Sequence, residues 1–429
     1  MQVRALTVLQ NWDCHTCGDC CRSYAVPVTA EERRRIEGQG WEQLPELAQV
    51  AFFTQRGGEF YLNHRGDGSC VFLGPDQLCR IHAKFGAAAK PLACRIYPFL
   101  LVPAGDHWNV GLRLACPSAA QNLGRPLAEQ LPEAREYATF FEATAPPGTL
   151  TAPPPPLQGT QALSWNDLGR LATAVSRLLA HAADPFERRW RKILFVVELL
   201  KKATFDGGGD PKKAVTGGRL SELLHVLSQA AEDEVPRQAD ELPPPGWVGR
   251  TIFRQLVAVY ARKDHGAEKG FAQRGPIRRW LAAWRFATGR GTIPPVHAAL
   301  PARVTFAAGE LPLGQLSAAA TDLLARWHRV KVESLQFCGP PNFGLAVWEG
   351  LESLALTFPA AMWLARVLTH GGRQPDDAIT QAVRMVDDNF GFNPLLGAAR
   401  QKFALRMLAN RGELPKLVAW YGRTSPGRR

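Results

Sequence analysis

No apolar run in the sequence is expected to cross a bilayer. The most apolar stretch, Leu354 to Val367, falls short of the roughly 20 residues a span needs and contains Pro359 and Arg366. It reads as a buried helix. The opening residues, MQVRALTVLQNWDC, lack the charged start, continuous apolar core and small-residue cleavage site of a secretory signal, so a cytoplasmic location is expected. Signatures of common enzymes are missing too: there is no Walker loop, no G-x-S-x-G, no H-E-x-x-H and no G-x-G-x-x-G. Acidic residues are in deficit, 39 against 51 Lys and Arg, which leaves a net charge of +12. Residues 1–120 carry +1 of it and the remainder +11. A basic body attracts nucleic acid, acidic protein or a membrane surface. No module of interleaved aromatic and basic residues is visible, so nucleic acid is not the expected partner and a solvated arginine-rich surface is.

Cysteine is scarce after residue 116, where Cys338 stands alone and reads as an ordinary buried residue. The other eight are Cys14, Cys17, Cys20, Cys21, Cys70, Cys79, Cys94 and Cys116. They open with C-x2-C-x2-C-C, whose two-residue gaps let one turn aim several thiolates at a single metal. Gly18 permits the tight backbone that such a loop needs. Disulfides are disfavoured in a cytosolic chain, and four free structural thiols within eight residues have no packing rationale. All eight are therefore assigned as metal ligands. Arg22, Arg80 and Arg95 each follow a cysteine directly and are candidate cofactor-binding residues, placed to offset thiolate charge and donate to sulfur. The ferredoxin-like run and Cys116-Pro117 favour a [4Fe–4S] cluster over zinc. The adjacent Cys20-Cys21 pair and the Cys70/Cys79 hairpin leave zinc, and a second site, open.

These residues carry a resemblance. The blocks Cys14-His15-Thr16-Cys17-Gly18-Asp19-Cys20-Cys21-Arg22, Cys70-Val71-Phe72-Leu73 with Cys79-Arg80-Ile81-His82, Lys90-Pro91-Leu92-Ala93-Cys94-Arg95-Ile96-Tyr97-Pro98-Phe99, and Cys116-Pro117 resemble the YkgJ-type cysteine-cluster proteins, a zinc- or iron-chelating domain with a CxxCxxCC signature. The resemblance covers about the first quarter of the chain. It departs at His82, where that family usually has Tyr, and at Lys90, where it usually has Arg. His82, spaced C-x2-H from Cys79, is read as packing beside the site, with an extra ligand as the alternative. The layout of a cysteine region joined to a long helical body is also similar to the flagellin lysine-N-methylases. That likeness implies S-adenosylmethionine as a cofactor and a protein substrate. The radical C-x3-C-x2-C triad is absent.

Three segments are expected: a cysteine-cluster metal domain at 1–120, a helix and proline-rich linker at 121–156, and a helical domain at 157–429. The fold class is mainly α, with a small irregular Cys-rich domain followed by an all-helical one. Thr29 and Glu32 form a capping box that opens a short helix through Ile36. The linker includes APPGTLTAPPPP at 145–156, which suits extended backbone only. Beyond it, Trp165, Leu168, Leu171, Val175, Leu178 and Leu179 make one apolar helical stripe. Similar stripes run through Ile193–Leu200, Leu220–Leu227, Ile252–Tyr260, Ile277–Phe286, Leu316–Leu335, Ile379–Val386 and Phe403–Leu408. Segments 207–218 and 231–246 read as mobile loops. The basic run Arg188-Arg189-Trp190-Arg191-Lys192 is expected to form a solvated helix face. His15, His64 and His107 lie near the cysteine blocks and are expected to be structural or exposed. Three functions remain: an iron–sulfur or zinc protein with a redox or sensing role, a protein lysine methyltransferase, and a zinc module in a basic nucleic-acid-binding protein.

Overall fold

The computed structural model describes residues 1–205, 214–263, 271 and 275–425. Among them are 17 α-helices and ten strands, none of the strands longer than six residues, so the chain is mainly α as expected. The capping box forms as read: Thr29 Oγ1 accepts from Glu32 N while Glu32 Oε2 accepts from Thr29 N, opening the helix Ala30–Glu37. The 165–179 stripe becomes the helix Trp165–Ala180, capped by Ser164 and burying Leu168, Leu171, Val175 and Leu179.

The N-terminal region holds its loops between small sheets that the sequence did not announce. Gln2–Arg4 pairs in parallel with His107–Leu112, which pairs antiparallel with Phe99–Ala104. Pro27–Val28, Glu59–Leu62 and Phe53–Arg56 form a second sheet. Two apolar cores result. The smaller gathers Val28, Ile36, Trp41, Leu62, Val71, Phe72 and Ile81, with Cys70 among them. The larger joins Phe99, Trp108, Val110 and Leu112 of the first sheet to the helices that follow. Strands near 99–112 thus bury their side chains against the helical body.

At the centre of that body lies the helix Val347–His370, 24 residues long and buried on every side. It is long and apolar enough to cross a membrane by composition, but its apolar 18-residue stretch is buried inside the fold. Gly350 permits one close contact, since a Cβ there would sit 2.3 Å from the Phe337 carbonyl. Arg366, buried in this helix, donates to the Tyr421 carbonyl at 2.7 Å, and burial lowers its pKa to about 10.

Two readings are corrected. The run Arg188–Lys192 is not a solvated face: Arg188, Arg189, Arg191 and Lys192 are each under 5% exposed in the helix Phe186–Leu200. Each cation finds oxygen partners, which is the condition for burying charge. Arg191 pairs with Glu187 at 2.6 Å, Arg189 donates to the Leu179 carbonyl at 2.8 Å, and Arg188 and Lys192 share Asp184 and Glu232. Burial raises the Asp184 pKa, but hydrogen bonds from Lys192, Arg188 and His181 outweigh it and hold it at about 2. Nor is 231–246 a loop throughout. Its start completes the helix Gly217–Glu234, Ala231 and Val235 are buried, and Ala239–Glu241 forms a capped 3-10 turn. The Gly207–Gly209 breaker lies outside the described residues.

Candidate metal centre

The C-x2-C-x2-C-C run is held at both ends. Before it, Asn11–Trp12 pairs with Arg125–Pro126, and Arg125 grips Asp13 at 2.9 Å. After Cys17 the chain turns through Gly18 at φ 67° into the five-residue helix Asp19–Ser23, which carries Cys20 and Cys21. A side chain at position 18 would be strained by that φ, and its Cβ would meet Arg22 Nη1 at 2.7 Å. Cys14 and Cys17 are exposed, while Cys20 and Cys21 are half-buried.

The second block docks onto the first through the backbone. Cys70 N donates to the Cys21 carbonyl at 2.8 Å. Arg65 clamps the loop that follows, donating to the Val71 and Leu73 carbonyls at 2.7 and 3.0 Å. Leu73 bridges to Cys79, which starts the helix Arg80–Phe85. The third block arrives with Leu92 N bonded to Glu32 Oε1 at 2.7 Å, so the capping-box glutamate also positions the short helix bearing Cys94.

Seven of the eight thiols fall into two sets, and Cys14 lies exposed. Cys20 interacts with Cys21, and Cys70 with Cys79 and Cys20; Cys94 interacts with Cys70, Cys79 and Cys20. Cys116 instead interacts with Cys17, beside Trp12 and the backbone of Ser118 and Ala119 at the start of the helix Pro117–Ala120. Among the described residues, no three of these sulfurs lie mutually within 4.8 Å. Cys338 is buried far from both sets in sequence and sits in the larger core.

Four of the thiols are shifted towards the protonated form. A hydrogen bond with the Cys21 thiol, then burial, raises the Cys20 pKa; burial raises Cys94 and Cys116 and pushes Cys70 up to about 12. Buried thiols facing one another without a base suit a soft metal, which takes the place of the protons. Opposing the shifts are Lys90, which faces Cys20 and Cys94, and Arg65, which faces Cys70. The three arginines named from sequence are placed differently. Arg22 is exposed and bonded to Gln77, and Arg80 pairs with Glu46 at 2.6 Å. Arg95 is half-buried, with its Nε free of any hydrogen bond. Lys90 and Arg65 were missed because neither adjoins a cysteine. The signal for Lys90 was its place before Pro91, where the resembled family carries Arg.

The histidines divide as well. His82 is exposed on its helix. His15 bonds Asp13 O and Ser118 Oγ at 2.9 and 3.2 Å, and buried His107 bonds Asp106 at 2.7 Å. His64 pairs by backbone with Cys70; its Nε2 is buried without a partner, and burial lowers its pKa. His181, Asp184 and Glu232 also place ligand atoms within 4.8 Å of one another. Lys192 and Arg188 already neutralise both carboxylates, so this cluster offers nothing to a cation.

No curated protein and no solved structure matches the chain. One family model does: residues 13–117, which hold all eight clustered cysteines, match the CxxCxxCC family, described as a putative zinc- or iron-chelating domain.

Proposed function

We propose that the chain is a cytoplasmic iron–sulfur protein whose N-terminal cysteines hold a [4Fe–4S] cluster for a redox or sensing role. The sequence pattern carries this reading: the ferredoxin-like C-x2-C-x2-C run that begins at Cys14, together with Cys116-Pro117. A cluster with one thiolate per iron would, when bound, supply one-electron transfer. Lys90 and Arg65 offset its negative charge, and the Val71–Leu73 clamp keeps the Cys70 loop in place. The test is metal and sulfide analysis with an absorption spectrum on anaerobically purified protein. About four irons per centre and a broad band near 400 nm that bleaches on reduction are expected. Zinc with a featureless visible spectrum would overturn the iron reading and make the site structural.

A second reading, S-adenosylmethionine-dependent methylation of a protein lysine, has one observation in its favour. A cleft of about 740 Å³, lined by Arg4, Trp165, Arg170, Arg177, His225 and Glu333 among others, opens beside the first sheet. It falls in the size range of small-molecule sites. Calorimetry with S-adenosylmethionine tests it; absence of binding removes this reading and leaves the iron–sulfur one intact.

A further inference from the structure

The helix Pro276–Thr288 reads PIRRWLAAWRFAT and contains no acidic residue. Its inner face is narrow. Only Ala282 and Phe286 are buried, Phe286 edge-on to Phe306 at 5.2 Å. Arg254 fastens the helix by donating to the Phe286 and Ala287 carbonyls at 3.1 and 3.0 Å, and Gln255 donates to Ala283 O at 3.2 Å.

The stripe expected to be core points the other way. Ile277, Trp280, Leu281 and Trp284 are 73%, 65%, 43% and 53% exposed. Steps of three, four and seven residues place all four on one helix face. Scattered exposed apolar residues need no explanation, but four large ones in a line, two of them Trp, mark an interaction surface. Arg278 and Arg285, seven residues apart, line one flank of this stripe. Both are exposed, as are Arg279 and Arg290, and among the described residues none of the four forms an ion pair.

We infer that this helix rests on the surface of an anionic phospholipid bilayer. The pattern is that of a helix lying in the interface plane: Trp and aliphatic side chains on one face enter the acyl boundary, while arginines stay at headgroup level and meet lipid phosphate. Trp suits that boundary because its ring is apolar and its N–H seeks a polar neighbour. The uncompensated positive charge selects anionic over zwitterionic lipid. A short helix held by one face gives reversible peripheral attachment, distinct from the buried helix Val347–His370.

Flotation of the full chain with phosphatidylcholine vesicles, with and without phosphatidylglycerol, tests the inference. The chain is expected to float with the anionic vesicles, to stay behind with phosphatidylcholine alone, and to be released by salt. Trp280→Ala with Trp284→Ala, and separately Arg278→Glu with Arg285→Glu, are each expected to cut the bound fraction about tenfold. Circular dichroism verifies that the fold is kept. Failure to float with anionic vesicles, or flotation of both double variants equal to that of the wild type, would overturn the inference. So would a wild-type dimer that the tryptophan double variant turns into a monomer, since the stripe would then bind a second copy.

Discussion

The Tyr24 hydroxyl donates a 2.8 Å hydrogen bond to Asp388 Oδ1, joining the end of the CxxCxxCC turn to a helix 364 residues further along the chain. Asp388 also accepts from Arg113 at 2.9 Å and pairs with Lys263. Burial alone would raise its pKa, but Lys263 and Arg113 outweigh that and leave it lowered. The Arg113 guanidinium in turn lies 3.8 Å over the Phe392 ring and 4.9 Å over Tyr24.

Asp388→Asn leaves two cations without their carboxylate in a buried seam and is expected to destabilise the chain by about 3–5 kcal/mol. Tyr24→Phe loses one hydrogen bond and should cost about 1 kcal/mol. Urea unfolding followed by far-UV circular dichroism measures both. Equal costs would show that the seam does not depend on charge.

Lys90 is the cation facing Cys20 and Cys94. Lys90→Met should weaken metal retention against a chelator by about tenfold or more, the usual penalty for losing a supporting group near a metal. Lys90→Arg keeps the charge and should restore most of it. A methionine variant as retentive as wild type would remove Lys90 from the site.

Serine at Cys94 is expected to abolish the iron–sulfur absorption band and to loosen the smaller core, because that segment folds around its metal. Cys17→Ser bears on the Cys17 and Cys116 set: loss of all iron would assign one centre to both sets, and loss of part of it two. Cys338→Ser should cost about 1–3 kcal/mol as a buried hydroxyl but keep full metal content. Full iron in the Cys94 variant would strike it from the ligands.

Acid should destabilise the body in a defined window. His328 is fully buried, donates from Nδ1 to the Leu324 carbonyl at 2.7 Å, and faces the Thr357 hydroxyl at 3.1 Å. Burial lowers its pKa to about 3, against 6.5 for the ordinary group. The unfolded chain therefore takes up this proton first, so the contribution is complete above pH 6.5 and is lost as pH falls. Between pH 6.5 and 5.0 the loss from His328 is about 2 kcal/mol. His297, lowered to about 4 mainly by burial, adds to the slope. Denaturant titrations at several pH values should show a shallower slope for His328→Gln; an unchanged slope would mean His328 is accessible to protons in the folded state.

Local signals in the sequence were reliable. The Thr29–Glu32 box acts within one turn, and the Trp165–Leu179 stripe needs only a neighbouring core. The chelating segment was legible because the cysteine spacing is itself the mechanism. Long-range pairings left no such mark: Gln2–Arg4 finds its parallel partner at His107–Asn109, and strands of two to six residues are too short for alternation to register. Charge misled at Arg188–Lys192, where the nearby acceptors Asp184 and Glu187 are completed by Glu232 and the Val235 and Pro236 carbonyls some 40 residues later. The Ile277–Trp284 stripe misled in the opposite sense, since periodicity says that a face is apolar but not what covers it. Lys90 and Arg65 reach the thiols only through the folded chain.

The two cores also set an order of events during synthesis. The smaller core and the cysteines packed on it lie within residues 21–94, all of which leave the ribosome early, so its loops can shape themselves around metal while the rest is still being translated. The sheet built from Gln2–Arg4, Phe99–Ala104 and His107–Leu112 must wait for part of its cover, because the helix Ala318–Glu333 that packs on His107–Leu112 emerges some 200 residues later. During that interval only the helix Leu131–Thr144 covers the sheet, and a nascent chain stalled there presents the remaining apolar surface to chaperones.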